Sequence, residues 1–269
     1  YSTDASIYQI MPLGVVVPKT EEDVRVTLNI AYENGISVTM RGGGTSQCGQ
    51  TVGEGLIVDV SKNLNSLISV DPEKLQASLQ PGIVLDQLNV SLKQHGLFFP
   101  VDVSTSSRAT IGGMTANNSC GARSIRYGKM VDNVGEVVAV LADGSSMKFG
   151  KWDEGTASDV SQRQQQLVSE LIDLGTRESE EVTRRFPMAQ RRVGGYNLDV
   201  ASAESGSSLN LAKLLVGSEG TLAVSSQITL NLQPIPEHKV LGVCHFPTFY
   251  QAMETTQYLV ELEPDAVEL

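Results

Sequence analysis

The sequence predicts an α+β protein, and three observations carry that prediction. Short apolar runs alternate with helical periods over the first hundred or so residues. The first two helical patterns are each stopped by a glycine, Gly35 and Gly96. Farther on, "VGEVVAVLADGSSMKFG" sets two strand patterns either side of Asp143-Gly144, which is the composition of an antiparallel hairpin.

The elements read in order. In "VVVPKTEEDVRVTLNIAYENG", Thr20 is an N-cap candidate and acids crowd the first turn, where they suit the positive end of a helix. Val24, Leu28 and Ala31 share one face. "ISVTM" and "GLIVDV" read as strands flanking "RGGGTSQCGQ", so the glycine run sits where a strand ends. "LQASLQPG" is a strand closed by Pro81-Gly82. "VLDQLNVSLKQHG" is a helix with Leu85, Leu88 and Leu92 on one side. The stretch from Leu97 to Gly128 lacks a clean period and is dense in Ser, Thr, Asn and Gly, which marks a long functional loop holding a short helix.

A polar, helix-prone insert follows at about 151–190, with Val160, Leu167, Leu171 and Leu174 along one side. "LNLAKLLVGSEGTLAVSSQITLNLQP" reads as a helix, another glycine turn and two strands. After Pro234 and Pro236, residues 237–269 read as strand, helix, strand, the first βαβ unit of a further domain without its remainder.

Composition removes several classes. A formal charge of −11 over 269 residues leaves no basic surplus for phosphate backbones, so no nucleic-acid partner is expected. No apolar run approaches the roughly 18 residues of a membrane span. Tyr1 stands in mid-pattern, so a targeting segment upstream stays open. Cys48, Cys120 and Cys244 are far apart with no C-x-x-C, so no metal or iron–sulfur site is expected, and reduced thiols point to the cytoplasm.

Three consecutive glycines carry a high entropic cost unless the backbone itself is needed, most often for close approach to a phosphate. The P-loop pattern fails because no lysine follows, and the dinucleotide G-x-G-x-x-G fails because Gln47 holds the last place. What remains is either a tight strand-to-strand turn or a cradle of successive N–H groups, with Thr45 and Ser46 adding hydroxyls and Arg41 adding charge. A second polar segment, "STSSRATIGGMTANNSCG", favours the cradle. It sets Gly112-Gly113 ahead of a short helix, whose N-terminus would offer unpaired N–H groups to an anion, beside Ser104, Thr105, Thr110, Asn117 and Asn118. "GSEGTL" supplies a third turn.

In their order, "RGGGTSQCGQ", "QPG", "FPVDVSTSSRATIGGMTANNSCGARSIRYG", "VLADG" and "GSEGTLAV" resemble the flavin-binding domain of the vanillyl-alcohol oxidase / p-cresol methylhydroxylase (PCMH) family. Within it they are most similar to the D-2-hydroxy-acid dehydrogenases of the glycolate, D-lactate and D-2-hydroxyglutarate type. The resemblance runs from about residue 10 to 269 and implies a PCMH-type fold. Two α/β subdomains, about 1–65 and 66–236, would hold FAD between them, and 237–269 would open a truncated cap domain.

By the same resemblance Arg41, Gly42, Gly43, Gly44, Thr45, Ser46, Gly49 and Gln50 would face the pyrophosphate, and Pro81 and Gly82 the adenine end. Asp102, Ser104, Thr110, Ile111, Gly112, Gly113, Ala116, Asn117 and Gly121 would line the second cradle towards the ring. Tyr127, Gly128, Glu219, Gly220, Thr221 and Leu222 would complete the pocket. Some relatives attach FAD through a histidine where this chain has Thr45, so non-covalent FAD is implied.

The implied reaction moves hydride from a small 2-hydroxy acid to flavin N5 and on to an external acceptor, an iron–sulfur module or a quinone. An acceptor of that kind leaves peripheral membrane attachment open. Another flavin oxidase or reductase on this fold, or a non-catalytic FAD subunit, are the alternatives. No catalytic residue is assigned. His95 reads as a helix-end charge, His238 and His245 flank a strand of the incomplete domain, and Arg184, Arg185, Arg191 and Arg192 read as a solvated basic face.

Overall fold

The computed structural model describes residues 1–153, 160–201 and 209–269. Its first part is a parallel sheet of β1 (Gly14–Val16), β2 (Val38–Arg41) and β3 (Leu56–Asp59), in the order β1-β3-β2. Helix α1 (Glu21–Glu33) links the first two strands. It starts where Thr20 Oγ1 accepts from Asp23 N at 3.1 Å while the Asp23 carboxylate accepts from Thr20 N at 3.0 Å, a reciprocal cap. It ends before Gly35, whose φ of 62° is left-handed. Val24 and Ala31 are buried beneath it as the period requires, with Leu28 half-buried beside Val60 and Leu64.

The second part is an antiparallel sheet built from β4 (Leu67–Asp71), β5 (Gln76–Leu79), β7 (Val134–Val140), β8 (Ser146–Phe149) and β9 (Val224–Asn231). Its order is β4-β5-β9-β7-β8. On the central strand β9, Ser226, Ile228 and Leu230 are buried in alternation, the period-2 signature of a sheet with one covered face. Helix α2 (Leu85–Leu92) lies in the same core, with Leu85, Leu88 and Leu92 at 2%, 0% and 0% exposure. Burying each such leucine stabilises the fold by about 1.5–3 kcal/mol.

The long polar region resolves into β6 (Leu97–Phe98), α3 (Ile111–Ala116), α4 (Ser124–Tyr127) and α5 (Met130–Asn133). Ile111, Met114 and Met130 pin it to the core. The insert forms the expected helical pair, α6 (Gln162–Arg177) and α7 (Ser179–Arg185). Then come α8 (Ala212–Leu215), β10 (Gln233–Pro234) and α9 (Phe249–Val260).

Two expectations change. The strand pattern after β9 is only the two residues of β10, which pair with β6. Residues 240–246 and 263–269 form no ladder, so the expected βαβ unit is present as α9 alone, capped by Thr248 Oγ1 accepting from Gln251 N at 3.2 Å. A strand needs a partner backbone, and none of the described residues supplies one there. Val240 and Leu241 are 96% and 87% exposed.

Candidate functional site

The three turns singled out in the sequence meet at one cleft. Its larger chamber, about 860 Å³ including its open mouth, is walled by Gly42–Ser46 and Gln50 on one side. Thr105, Thr110, Gly113, Ala116 and Asn117 wall the other side, with Glu219 and Gly220 at the edge. An adjoining chamber of about 570 Å³ shares Met40, Gly42, Thr110, Gly113, Ala116 and Gly220, so the two are continuous. Pro81, Gly112, Leu215 and Val224 make that second chamber more apolar.

Glycine is required in the first turn because the two parts of the protein touch there. A Cβ on Gly42 would lie 2.1 Å from Thr110 Oγ1, and one on Gly43 would lie 2.3 Å from the Arg108 carbonyl oxygen. The turn therefore reaches from the parallel sheet to the polar loop with no room for a side chain. Among the described residues, the N–H groups of Gly43, Gly44, Thr45 and Ser46 have no intramolecular acceptor. Unspent amides on successive residues beside a cleft are the donor set an anion takes. Ser46 donates its hydroxyl to Gln50 Oε1, closing the turn on itself.

The second turn departs from the expectation. Gly112 and Gly113 lie inside the first turn of α3, not ahead of it. The N–H groups of that helix end are already spent. Ile111 N donates to Ile83 O at 2.9 Å, Gly112 N to Pro81 O at 2.7 Å, and Gly113 N to Thr110 Oγ1 at 3.3 Å. Gly112 is glycine because a Cβ would sit 2.6 Å from Pro81 Cβ. The helix end is a packing joint, and what this turn offers the cleft is its polar edge at Thr105, Asn117 and Ser119.

The third turn is held from behind. Glu219 N donates to Ala116 O and Gly217 N to Thr115 O, both at 2.9 Å. Asn197, buried, donates to Lys213 O at 3.1 Å and Val216 O at 2.8 Å, and Tyr196 bonds Thr221 through its hydroxyl at 2.8 Å. That is the structural use of the "GGYNLD" stretch. Glu219 keeps φ at 53°, a conformation a non-glycine residue adopts only when its surroundings hold it. Desolvation raises the pKa of its carboxyl, while a hydrogen bond from Gln50 works the other way.

Not every residue expected at the site lines it. Arg41 does border the adjoining chamber, but its side chain also donates to Thr3 O at 2.8 Å, Thr51 O at 3.2 Å and Tyr1 O at 3.4 Å. Gly49, at φ 82°, lies under the Tyr8 ring. Gly82 packs on the Val60 and Leu64 carbonyls. Ile111 is in the core at 0% exposure. Asp102 accepts from Arg123 N at 3.1 Å and crowds Gly121, so both shape the loop from outside. Tyr127 stands edge-on to Phe98 with ring centres 5.9 Å apart, and Gly128 abuts Asp132. Ser104, Thr221 and Leu222 are also off the walls.

Sequence reasoning missed Met40, Val103, Ser119 and Ser218, which line the cleft. Met40 and Val103 are apolar neighbours of motif residues and carry no signal of their own. The hydroxyls of Ser119 and Ser218 lay inside quoted motifs.

No histidine or cysteine lines the cleft among the described residues. His95, His238 and His245 are exposed, and the three cysteines are free thiols. No cluster of metal-ligating side chains occurs among the described residues. Arg184 and Arg185 both pair with Glu181, Arg191 donates to Gly121 O at 2.7 Å, and Arg192 pairs with Asp199 at 2.7 Å. Most of that basic stretch is thus ion-paired.

A cleft walled by side-chain-free backbone with unspent amides suits a diphosphate-bridged coenzyme. The family comparison agrees. Residues 12–150 match the FAD binding domain model, and the chain belongs to that family. FAD is therefore the cofactor, and the unspent amides of Gly43–Ser46 stand beside the cleft.

The chain is 33% identical to D-2-hydroxyglutarate dehydrogenase of Pantoea ananatis (strain AJ13355), over 99% of this chain and 27% of that protein. It is 32% identical to the mitochondrial cytochrome-type D-lactate dehydrogenase of Arabidopsis thaliana, over 91% and 34%. It is 29% identical to glycolate oxidase subunit GlcD of Bacillus subtilis (strain 168), over 97% and 45%. The chain thus spans about a quarter to under half the length of these relatives. A solved structure of alkyldihydroxyacetonephosphate synthase superposes with a TM-score of 0.63 at 18% identity, covering 94% of this chain and 38% of that one, which places the fold.

Proposed function

We propose that this chain is the flavin-holding part of an FAD-dependent dehydrogenase that oxidises a small D-2-hydroxy acid of the 2-hydroxyglutarate, lactate or glycolate class. Residues 1–236 would be the flavin domain and 237–269 the start of a substrate-capping domain. The observation that carries this reading is that 99% of the chain aligns with D-2-hydroxyglutarate dehydrogenase while its three turns converge on one cleft. Bound FAD would supply the hydride acceptor.

The chain's own residues do the holding. The amides of Gly43–Ser46 receive the diphosphate, while the Thr45, Thr105 and Ser119 hydroxyls and the Asn117 amide supply further polar contacts. Gly42, Gly43 and Gly112 let the walls approach with no side chain between them. Non-covalent attachment fits Thr45, which stands where some relatives carry a flavin-linked histidine. Arg41 and Glu219 are the charged side chains on the described walls, and neither is assigned as the substrate clamp or the base. The electron acceptor would be an iron–sulfur module or a quinone. No described helix is long and apolar enough to cross a membrane, and three free thiols suit the cytoplasm.

The test is the visible spectrum of the complete purified enzyme containing this chain. Flavin bands that bleach under anaerobic D-2-hydroxyglutarate, D-lactate or glycolate, with the flavin released by acid precipitation, are the expected result. Bleaching by a reduced nicotinamide alone overturns the substrate class, and a well-folded enzyme that takes up no flavin overturns the whole reading.

A further inference from the structure

Residues 1–10 fold over the outer side of the glycine turn as a small closed loop. Thr3 and Gln9 bridge antiparallel, Ile10 N donates to Ser2 O at 2.9 Å, and Asp4 Oδ1 accepts from Ser6 N at 2.8 Å. This loop touches the glycine turn at four places along its length. At its start, Arg41 donates to the Tyr1 and Thr3 carbonyls and lies over the Tyr1 ring at 5.4 Å. In the middle, Ala5 N donates to Gly44 O at 3.1 Å. Thr51 Oγ1 donates to Asp4 Oδ2 at 2.9 Å, and towards the loop's end the Tyr8 ring covers Gly49. A buried carboxylate anchors the arrangement, since Asp59, 3% exposed, accepts the Tyr1 hydroxyl at 2.8 Å and the Ser61 amide and hydroxyl at 2.8 and 2.6 Å.

The contact at Gly44 bears on the cradle directly. A peptide unit is planar and trans, so a carbonyl and the N–H across the same C–N bond face opposite ways. Holding the Gly44 carbonyl outward against Ala5 turns the Thr45 N–H to the inner side, where Thr45 lines the cleft. Gly44 at φ 64° could otherwise flip, because glycine accepts both signs of φ.

We propose that residues 1–8 are a strap that sets the orientation of the diphosphate-binding amides, and that Arg41 and Asp4 are positioning residues which act through it. Arg41 thus serves the coenzyme by gripping carbonyls of the strap, and its charge does not meet the phosphates. This rests on the cleft being the FAD site.

The test compares FAD affinity in the wild-type chain, Asp4→Ala, Arg41→Lys, Arg41→Ala and the double variant Asp4→Ala/Arg41→Ala, with melting temperature measured alongside. ADP, which carries the diphosphate, and riboflavin, which carries none, serve as probes of the two halves. Asp4→Ala is expected to weaken FAD and ADP about 5- to 30-fold and to leave riboflavin within about twofold, a loss of the size that one misoriented amide contact produces. Arg41→Lys is expected to lose as much as Arg41→Ala, since an ammonium cannot reach three carbonyls as the guanidinium fork does. The double variant should lose less than the product of the two single losses.

Unchanged FAD affinity in Asp4→Ala, together with near-normal binding by Arg41→Lys, overturns the proposal and gives Arg41 a direct charge role. Equal loss of ADP and riboflavin, tracking melting temperature, also overturns it, as a general structural defect. A wild-type chain that binds neither FAD nor ADP refutes the site itself, a result distinct from either.

Discussion

Replacing Gly43 with alanine is the sharpest perturbation of the site. The added Cβ would lie 2.3 Å from the Arg108 carbonyl oxygen and 3.0 Å from its carbon. That is about 1 Å inside ordinary contact, so one wall must retreat. The obstacle is backbone, and it is braced. Arg108 N and Ala109 N both donate to Thr105 O at 2.8 Å, and Leu85 N donates to Ala109 O at 3.0 Å. Rotamer change cannot relieve it, and overpacking of this kind costs about 1–3 kcal/mol.

Because the strain falls between the amide cradle and the facing loop, most of it should be expressed in coenzyme binding. That corresponds to about a 5- to 150-fold rise in the Kd for FAD, read by flavin fluorescence titration. Gly35→Ala is the matched control. Its φ of 62° makes alanine strained, but nothing lies within 4 Å of the added Cβ. It should lower the melting temperature through about 1 kcal/mol of backbone strain and leave FAD affinity alone. A Gly43→Ala chain with the control's affinity would refute the view that this glycine exists for close approach.

Other expectations follow from the same structure. Glu219 has a folded-state pKa above its ordinary value. Its contribution to stability is therefore full below the unfolded carboxyl range of about 4.3 and is lost as pH rises through the folded pKa. In Glu219→Gln that part of the melting-temperature profile should flatten. The same substitution removes a carboxylate beside the diphosphate site. FAD affinity near neutral pH should then rise about fivefold, the effect of about 1 kcal/mol of screened repulsion; unchanged affinity would place Glu219 away from the coenzyme. Leu88→Ala empties a side chain at 0% exposure in the core and should cost about 2–5 kcal/mol by chemical denaturation; under 1 kcal/mol would contradict the packing. Thr20→Ala removes the α1 cap, costing about 0.5–2 kcal/mol, with FAD binding unaltered.

Local chemistry was legible wherever a single residue type was needed. Thr20 and Gly35 bounded α1, Asp143-Gly144 joined β7 to β8, and the leucines of α2 fell on its buried side. The glycine run was legible as backbone needed bare, though the neighbour demanding it, the Arg108 carbonyl, is 65 residues away in sequence and could not be read. Pairing information was least accessible. β1 is three residues long and makes sense only beside β3, while 240–246 has strand composition and no partner among the described residues.

Donor allocation was equally hidden. The α3 amides looked free until Pro81 and Ile83 proved to hold them, and no motif showed that the Arg41 guanidinium also bonds the carbonyls of residues 1–3. A motif states which groups are present, and only the fold states which are already spent.

The most direct measurement is amide hydrogen exchange of the purified chain with and without FAD. Gly43–Ser46 lack acceptors among the described residues, so they should exchange fast when the coenzyme is absent. FAD should then slow exchange in three segments together, residues 41–50, 103–120 and 217–222. Protection confined to one of these, or a glycine turn that exchanges as fast with FAD as without it, would contradict a single cleft gripping the diphosphate through main-chain amides.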